Sequence, residues 1–168
     1  MMGTARQFYG LIGDPVEHSL SPFIMHRAFS AHGIAAMYVA VAVTRDGAGE
    51  SIRGMRTLGF SGANVTYPLK EAVMPYIDQV SPAVAAIGAA NTLKFTDQGV
   101  TGENTDATGT VVALETFGGI QLPGTRALIF GAGGAGRAAA FGLLSVGAAS
   151  IRFAVRDKGK AKSAIEGL

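Results

Sequence analysis

The sequence predicts an α/β protein: an N-terminal α/β domain with a mainly parallel sheet, followed by a second, incomplete α/β unit. Three observations predict it. Short apolar, β-branched runs alternate with stretches whose apolar residues recur at three- and four-residue spacing, the pattern of strands alternating with helices. Glycine supplies 24 of the 168 residues, roughly twice its ordinary share of about 7%. Most of these glycines stand singly, many of them between the patterned stretches, where the chain needs tight backbone geometry.

Each element follows in order. Gln7 to Gly13 is a short apolar run broken by Asp14-Pro15, a strand and its stop. Ser21-Pro22 opens a helix, with Ser21 as N-cap and Pro22 at the first helical position, and Gly33 closes it. Met37 to Val43 is β-branched and apolar, a buried strand. Ile52, Met55 and Leu58 share one face of a second helix that stops before Gly59. Ser61 to Val65 is a third strand, and Pro68 starts a third helix through Ile77. Ala89 to Phe95 and Val100 to Glu103 form a hairpin around Asp97-Gln98-Gly99. Thr108 to Phe117 is helical and ends at Gly118-Gly119.

Beyond Pro123-Gly124, Arg126 to Phe130 is a strand, Gly131 to Gly136 a glycine loop, Arg137 to Val146 an alanine-rich helix and Ser150 to Val155 the next strand. That is one βαβ unit, whereas a complete doubly wound fold has two βαβαβ halves. The second part therefore reads as truncated, with the division at residues 1–106 and 107–168.

Composition narrows the functional classes. With 48% hydrophobic and 15% charged residues, the chain is too apolar for disorder and long enough to bury a core. No apolar run reaches the ~18 residues of a membrane span, and the N-terminus lacks a signal-peptide pattern, so a cytoplasmic protein is expected. The absence of cysteine excludes a disulfide scaffold and thiolate-held metals, and no metal site is expected. Fourteen cations face twelve anions, scattered without a basic block, so no nucleic-acid partner is expected.

Gly131-Ala132-Gly133-Gly134-Ala135-Gly136 matches G-x-G-x-x-G. The pattern alone is weak, but it follows an apolar strand and opens a helix, the setting in which such a loop cradles a pyrophosphate. The competing reading is a tight turn that binds nothing. Which nucleotide it takes depends on the end of the following strand: a carboxylate suits NAD and a cation suits NADP. Here Arg156 precedes Asp157, with Lys160 nearby, which favours NADP and keeps NAD as the alternative.

Four polar constellations stand against the apolar background: Ser19 and Ser21, Asn64 to Lys70, Asn91-Thr92, and Glu103 to Asp106. Two hydroxyls beside a helix start can hold a carboxylate. A lysine in the first turn of the helix expected from Pro68 opposes the helix dipole, which biases its amine toward neutrality. Each residue also has an ordinary capping or surface role. A lysine and an aspartate facing a nucleotide site would make an acid–base unit.

The succession HSLSP, NVTYPLK, AANTL, ENTD and GAGGAGR resembles the shikimate dehydrogenase family, from about Phe8 to the last residues. The resemblance implies an N-terminal substrate domain, a Rossmann domain for the cofactor, and NADPH-dependent reduction of 3-dehydroshikimate to shikimate in aromatic amino acid biosynthesis. It implies that Ser19 and Ser21 hold the substrate carboxylate and that Thr66, Asn91 and Asp106 bind ring hydroxyls. Lys70 and Asp106 would be the catalytic pair. Gly131, Ala132, Gly133, Gly134, Ala135 and Gly136 would form the phosphate loop with Arg137 at its exit, and Arg156 and Lys160 would meet the cofactor's 2′-phosphate. A homodimer is among the assemblies it implies.

The family's usual Asn-Arg-Thr-x-x-Arg segment is here Val155-Arg156-Asp157-Lys158-Gly159-Lys160, and Tyr67 replaces the usual residue before Pro68. The competing functions are an NAD-dependent quinate/shikimate dehydrogenase, a non-catalytic hydroxy-acid-binding relative, and a folded remnant that binds a partner along a sheet edge near Ile151 to Val155.

Overall fold

The first apolar run becomes strand β1 (Gln7–Gly13), whose last four residues are buried. In this computed structural model, which describes residues 7–168 except the side chain of Lys160, β1 pairs in parallel with β2 (Ala36–Ala42) on one side and β3 (Phe60–Val65) on the other. Beyond β3 lies β5 (Thr92–Thr96), antiparallel to it. The sheet ends with β6 (Gly99–Glu103) and the short β4 (Gln79–Val80), giving the order β2-β1-β3-β5-β6-β4. The mainly parallel α/β architecture is thus the one the sequence patterning predicts. Among the described residues, no helix is long and apolar enough to cross a membrane.

Helices α1 (Ser21–Ala31) and α2 (Ala48–Thr57) are the crossovers that return the chain for β2 and β3. Phe29 of α1 is buried with Leu11, Val16 and Tyr38, and α2 buries Ile52 and Met55. Leu58, by contrast, is 72% exposed. The helix ends one residue earlier, so this leucine falls on the C-cap and turns outward.

Strand β2 also departs from its predicted burial. It is one of the sheet's two edge strands, and only Tyr38 along it is buried. Its edge is partly covered: the Tyr38 N–H donates to Nε2 of His26 at 3.0 Å, occupying a donor that an edge strand otherwise leaves open.

The helix predicted from Pro68 to Ile77 does not form. Residues 67–73 are a succession of turns, closed by a 3₁₀ turn at Met74–Tyr76. Pro75 accounts for it: it has no N–H to return to Glu71, and its ring would crowd that carbonyl in an α-helix. The Met74 N–H bonds the Glu71 carbonyl instead, at 3.2 Å. Pro68 follows a cis peptide bond and sits in a turn.

The chain forms two compact units. The first runs to Gln79 and resumes over Ala90–Gly102; the second comprises Val80–Ala89 and Glu103–Leu168. In the second, β7 (Arg126–Phe130) and β8 (Ser150–Ala154) pair in parallel, joined by α5 (Gly134–Ser145). Helix α4 (Asp106–Thr116) packs on α5. A Cβ at Gly142 would run into the Ala107 carbonyl, so glycine permits this approach. Helix α3 (Pro82–Ile87) buries Val84 and Ile87, and Ile87 packs with Ala107 and Ala138. Helix α6 (Lys158–Ile165) follows β8.

Candidate active site

In open parallel sheets, ligands settle at the carboxyl ends of the strands. In the first unit the segment after β1 and the residue after β3 meet there. Ser19 and Ser21 from one side and Thr66 from the other line a cavity of about 220 Å³, floored by Leu11 and Val16. A larger and more open groove of about 740 Å³, lined by Arg53, Arg56, Phe60 and Asp97, contains none of the expected site residues.

Ser21 is not the N-cap of α1; Leu20 is, and no side chain caps this helix. The Ser21 hydroxyl has other partners. Ser19 Oγ donates to Ser21 Oγ at 3.1 Å and accepts from the Ser21 N–H at 3.2 Å. Ser21 in turn bonds the Tyr38 phenol, which donates to Asn64 Oδ1 at 2.8 Å. Asn64 Nδ2 donates to Thr92 Oγ1 at 3.2 Å, and Thr92 Oγ1 donates to Asn91 Oδ1 at 3.0 Å. Three of the four substrate-binding residues expected in this unit are therefore members of one hydrogen-bonded chain.

The chain has a physical direction. Each hydroxyl donates once onward, and the Asn64 amide accepts at its oxygen and donates from its nitrogen. Burial pushes the Tyr38 phenol up to about 12, and the Ser21 hydrogen bond offsets part of that rise. Tyr38 thus stays protonated and remains a donor. Tyr38 is the member that sequence reasoning did not single out, and Asn64 and Thr92 lie in its polar constellations but were given no site role. The signal available was weak: a tyrosine in an otherwise aliphatic strand and an asparagine at the end of another. Both are polar groups that require partners when buried.

Lys70 is half-buried in the turns after β3, and its carbonyl accepts the Ala90 N–H at 2.9 Å. That bond fixes the lysine's backbone beside the segment leading into Asn91, which is buried at 8% exposure. Lys70 is not in a helical first turn, so the helix-dipole argument for its amine has no basis.

Asp106 belongs to the second unit, as the first residue of α4. Its N–H is held by Asn104 Oδ1 at 3.0 Å, and Asn104 Nδ2 donates to the Ala89 carbonyl at 2.9 Å. Asn104 is buried, so this clip sets where the Asp106 backbone begins its helix.

The glycine loop has the shape a pyrophosphate requires. Gly131 has φ +92 with open space where a Cβ would stand, a conformation that favours glycine. A Cβ on Gly136 would collide with the Gly131 carbonyl oxygen. Gly133 is the N-cap of α5, so the helix's positive end opens at the loop. These residues fit a dinucleotide's diphosphate. Arg137 is buried rather than facing solvent. Arg156 is exposed just beyond β8, and the Lys160 side chain lies outside the described residues.

Residues 11–93 match the shikimate dehydrogenase substrate binding domain family. The chain is 43% identical over 162 residues to the NADP(+) shikimate dehydrogenase of Bacillus mycoides, covering 96% of this chain and 58% of that protein. Shikimate dehydrogenase from Aquifex aeolicus superposes with a TM-score of 0.90 at 34% identity, covering all of this chain and 62% of that one. The Thermus thermophilus enzyme, in complex with NADP(H) and shikimate, gives 0.85 at 37% identity, covering 96% and 60%. The chain thus spans about three-fifths of the length of these relatives. It resembles the shikimate dehydrogenases over nearly its whole length, and its residues 11–93 belong to their substrate-binding domain family.

Proposed function

We propose that the protein is an NADP-dependent shikimate dehydrogenase that reduces 3-dehydroshikimate to shikimate in aromatic amino acid biosynthesis. Residues 1–106 would supply the substrate and catalytic part, and residues 107–168 a linker helix and the first part of a cofactor-binding Rossmann domain. The observation that carries the reading is the hydrogen-bonded chain from Ser19 to Asn91. It holds the directions of the Ser19 and Ser21 hydroxyls, which line a small cavity with Thr66, and ties them through Tyr38 and Asn64 to Thr92 and Asn91, as recognition of a polyhydroxylated ring with a carboxylate requires.

In this reading Ser19 and Ser21 hold the substrate carboxylate, and Thr66, Asn91 and Asp106 bind ring hydroxyls. Bound NADPH supplies a hydride to the ketone carbon. The Lys70 ammonium stabilises the negative charge building on the ketone oxygen and gives that oxygen a proton, and its amine regains one from solvent. Asp106 orients the lysine and the substrate. The glycine loop and Arg156 hold the cofactor, a reading supported by relatives whose names and complexes specify NADP.

One observation favours a second reading, NAD-dependent oxidation of quinate or shikimate: Asp157 directly follows Arg156, and a carboxylate in this region suits the ribose hydroxyls of NAD. Initial rates of the intact natural protein on both substrates with both cofactors separate the two. Preference for shikimate and NADP supports the first reading; preference for quinate and NAD overturns it.

A further inference from the structure

Arg137, the last residue of the GAGGAGR run, is 5% exposed. Its guanidinium reaches three backbone carbonyls: Nε donates to Ile87 at 2.6 Å, Nη2 to Gly88 at 3.2 Å and Nη1 to Ala132 at 3.2 Å. The first two belong to the end of α3, where Gly88 takes the left-handed C-cap conformation at φ +67 and the final carbonyls of the helix need partners. The third belongs to the glycine loop itself. The Arg137 backbone N–H also bonds the next loop carbonyl, that of Gly133, at 3.0 Å.

A trans peptide points its C=O and its N–H in opposite directions. When Arg137 draws the Ala132 and Gly133 carbonyls toward itself, the N–H groups of Gly133 and Gly134 must face the other way. These are the donors that a diphosphate at this loop would take. We infer that Arg137 is a positioning residue for the phosphate loop: anchored on the C-cap of α3, it fixes the Ala132–Gly133 peptide so that the loop's N–H groups are aimed before the cofactor arrives. The inference rests on the reading of the loop as a dinucleotide site.

The role differs from phosphate contact. Three of the guanidinium's five N–H donors go to backbone carbonyls, and its fork matches three acceptors that a lysine's single ammonium cannot span together. It differs also from simple helix capping, because one of the three bonds goes to the loop. Loss of the anchor leaves the loop peptide free to rotate, so the N–H groups must be ordered when the diphosphate binds, at a cost in affinity.

The test uses the intact natural protein, R137M and R137K, with calorimetric affinities for NADP+ and shikimate measured separately, beside thermal midpoints. R137M is expected to lose about tenfold or more in NADP+ affinity, in line with loss of a hydrogen bond to a charged group, while shikimate affinity stays within about twofold. R137K is expected to lie between R137M and the parent. NADP+ affinity within about twofold of the parent in a folded R137M overturns the inference, as does an equal loss for both ligands. The unsubstituted protein supplies a further check, independent of whether a variant folds: titration with ADP should move the Gly133 and Gly134 amide resonances. Saturation without movement of either overturns the inference and leaves the functional reading standing. Failure of the unsubstituted protein to bind NADP+ or ADP removes both.

Discussion

The Tyr38 phenol donates to Asn64 Oδ1 at 2.8 Å, across 26 residues of sequence. This bond joins the two halves of the site's hydrogen-bonded chain: Ser19 and Ser21 lie upstream of it, Thr92 and Asn91 downstream. Because the phenol is buried and protonated, it acts as a fixed donor, and Asn64 must present its oxygen to Tyr38 and its nitrogen to Thr92.

Replacing Tyr38 with Phe leaves Asn64 Oδ1 and the Ser21 hydroxyl without that partner. The expected cost is about 1–3 kcal/mol of stability, read from urea denaturation. The pH dependence follows from the raised value. Tyr38 titrates near 12 in the folded chain against 10.0 for the ordinary group, so its contribution is complete below pH 10 and is lost as pH rises toward 12. The loss amounts to ~2 kcal/mol. Y38F should lack this decline; an unchanged decline would show that another group causes it.

Lys70→Ala is expected to lower kcat by about 10²–10⁴-fold, the usual contribution of a general acid. NADP+ affinity should stay within about twofold, since the glycine loop is untouched. Steady-state rates together with calorimetry check both halves. Turnover equal to the parent's would remove Lys70 from the reaction.

Two glycines should respond oppositely to alanine. Gly136→Ala forces a Cβ against the Gly131 carbonyl oxygen, so the helix start and the loop must move apart. A loss of about 1–3 kcal/mol and weaker nucleotide binding are expected. Gly54, inside α2 with open space around its Cβ position, should gain up to about 1 kcal/mol as alanine. Thermal midpoints of the two variants distinguish a packing constraint from composition.

His26→Ala removes the acceptor of the Tyr38 N–H and opens the β2 edge to water. A cost of about 0.5–1.5 kcal/mol is expected. Amide hydrogen exchange should quicken at Tyr38; unchanged exchange there would mean that the imidazole does not protect it.

What the sequence made legible was local. The β1, β3 and β7 runs, the hairpin at Asp97-Gln98-Gly99 and the glycine loop before α5 carry their patterns within a few residues, and the structure places them accordingly. Failures came where a local signal had a competitor. Pro68 looked like a helix start, but Pro75 forbids the continuation. Ser21 looked like an N-cap, but its hydroxyl is committed to Ser19 and Tyr38. Helix α3 was missed although Ser81 caps it by accepting the Val84 N–H at 3.3 Å and Gly88 closes it, because its six residues are too short to show periodicity. Burial of β2 was overestimated because composition does not say which strand is the edge. The role of Tyr38 and the anchoring of Arg137 on Ile87, 50 residues away, are properties of the fold and not of any window.

The most direct measurement is the appearance of reduced nicotinamide on mixing the intact natural protein with shikimate and NADP+, with Lys70→Ala run beside it. The account predicts steady formation of NADPH by the parent, little by the variant, and slower reaction with NAD or quinate. Saturable binding of shikimate and NADP+ with no reduced cofactor formed would contradict it.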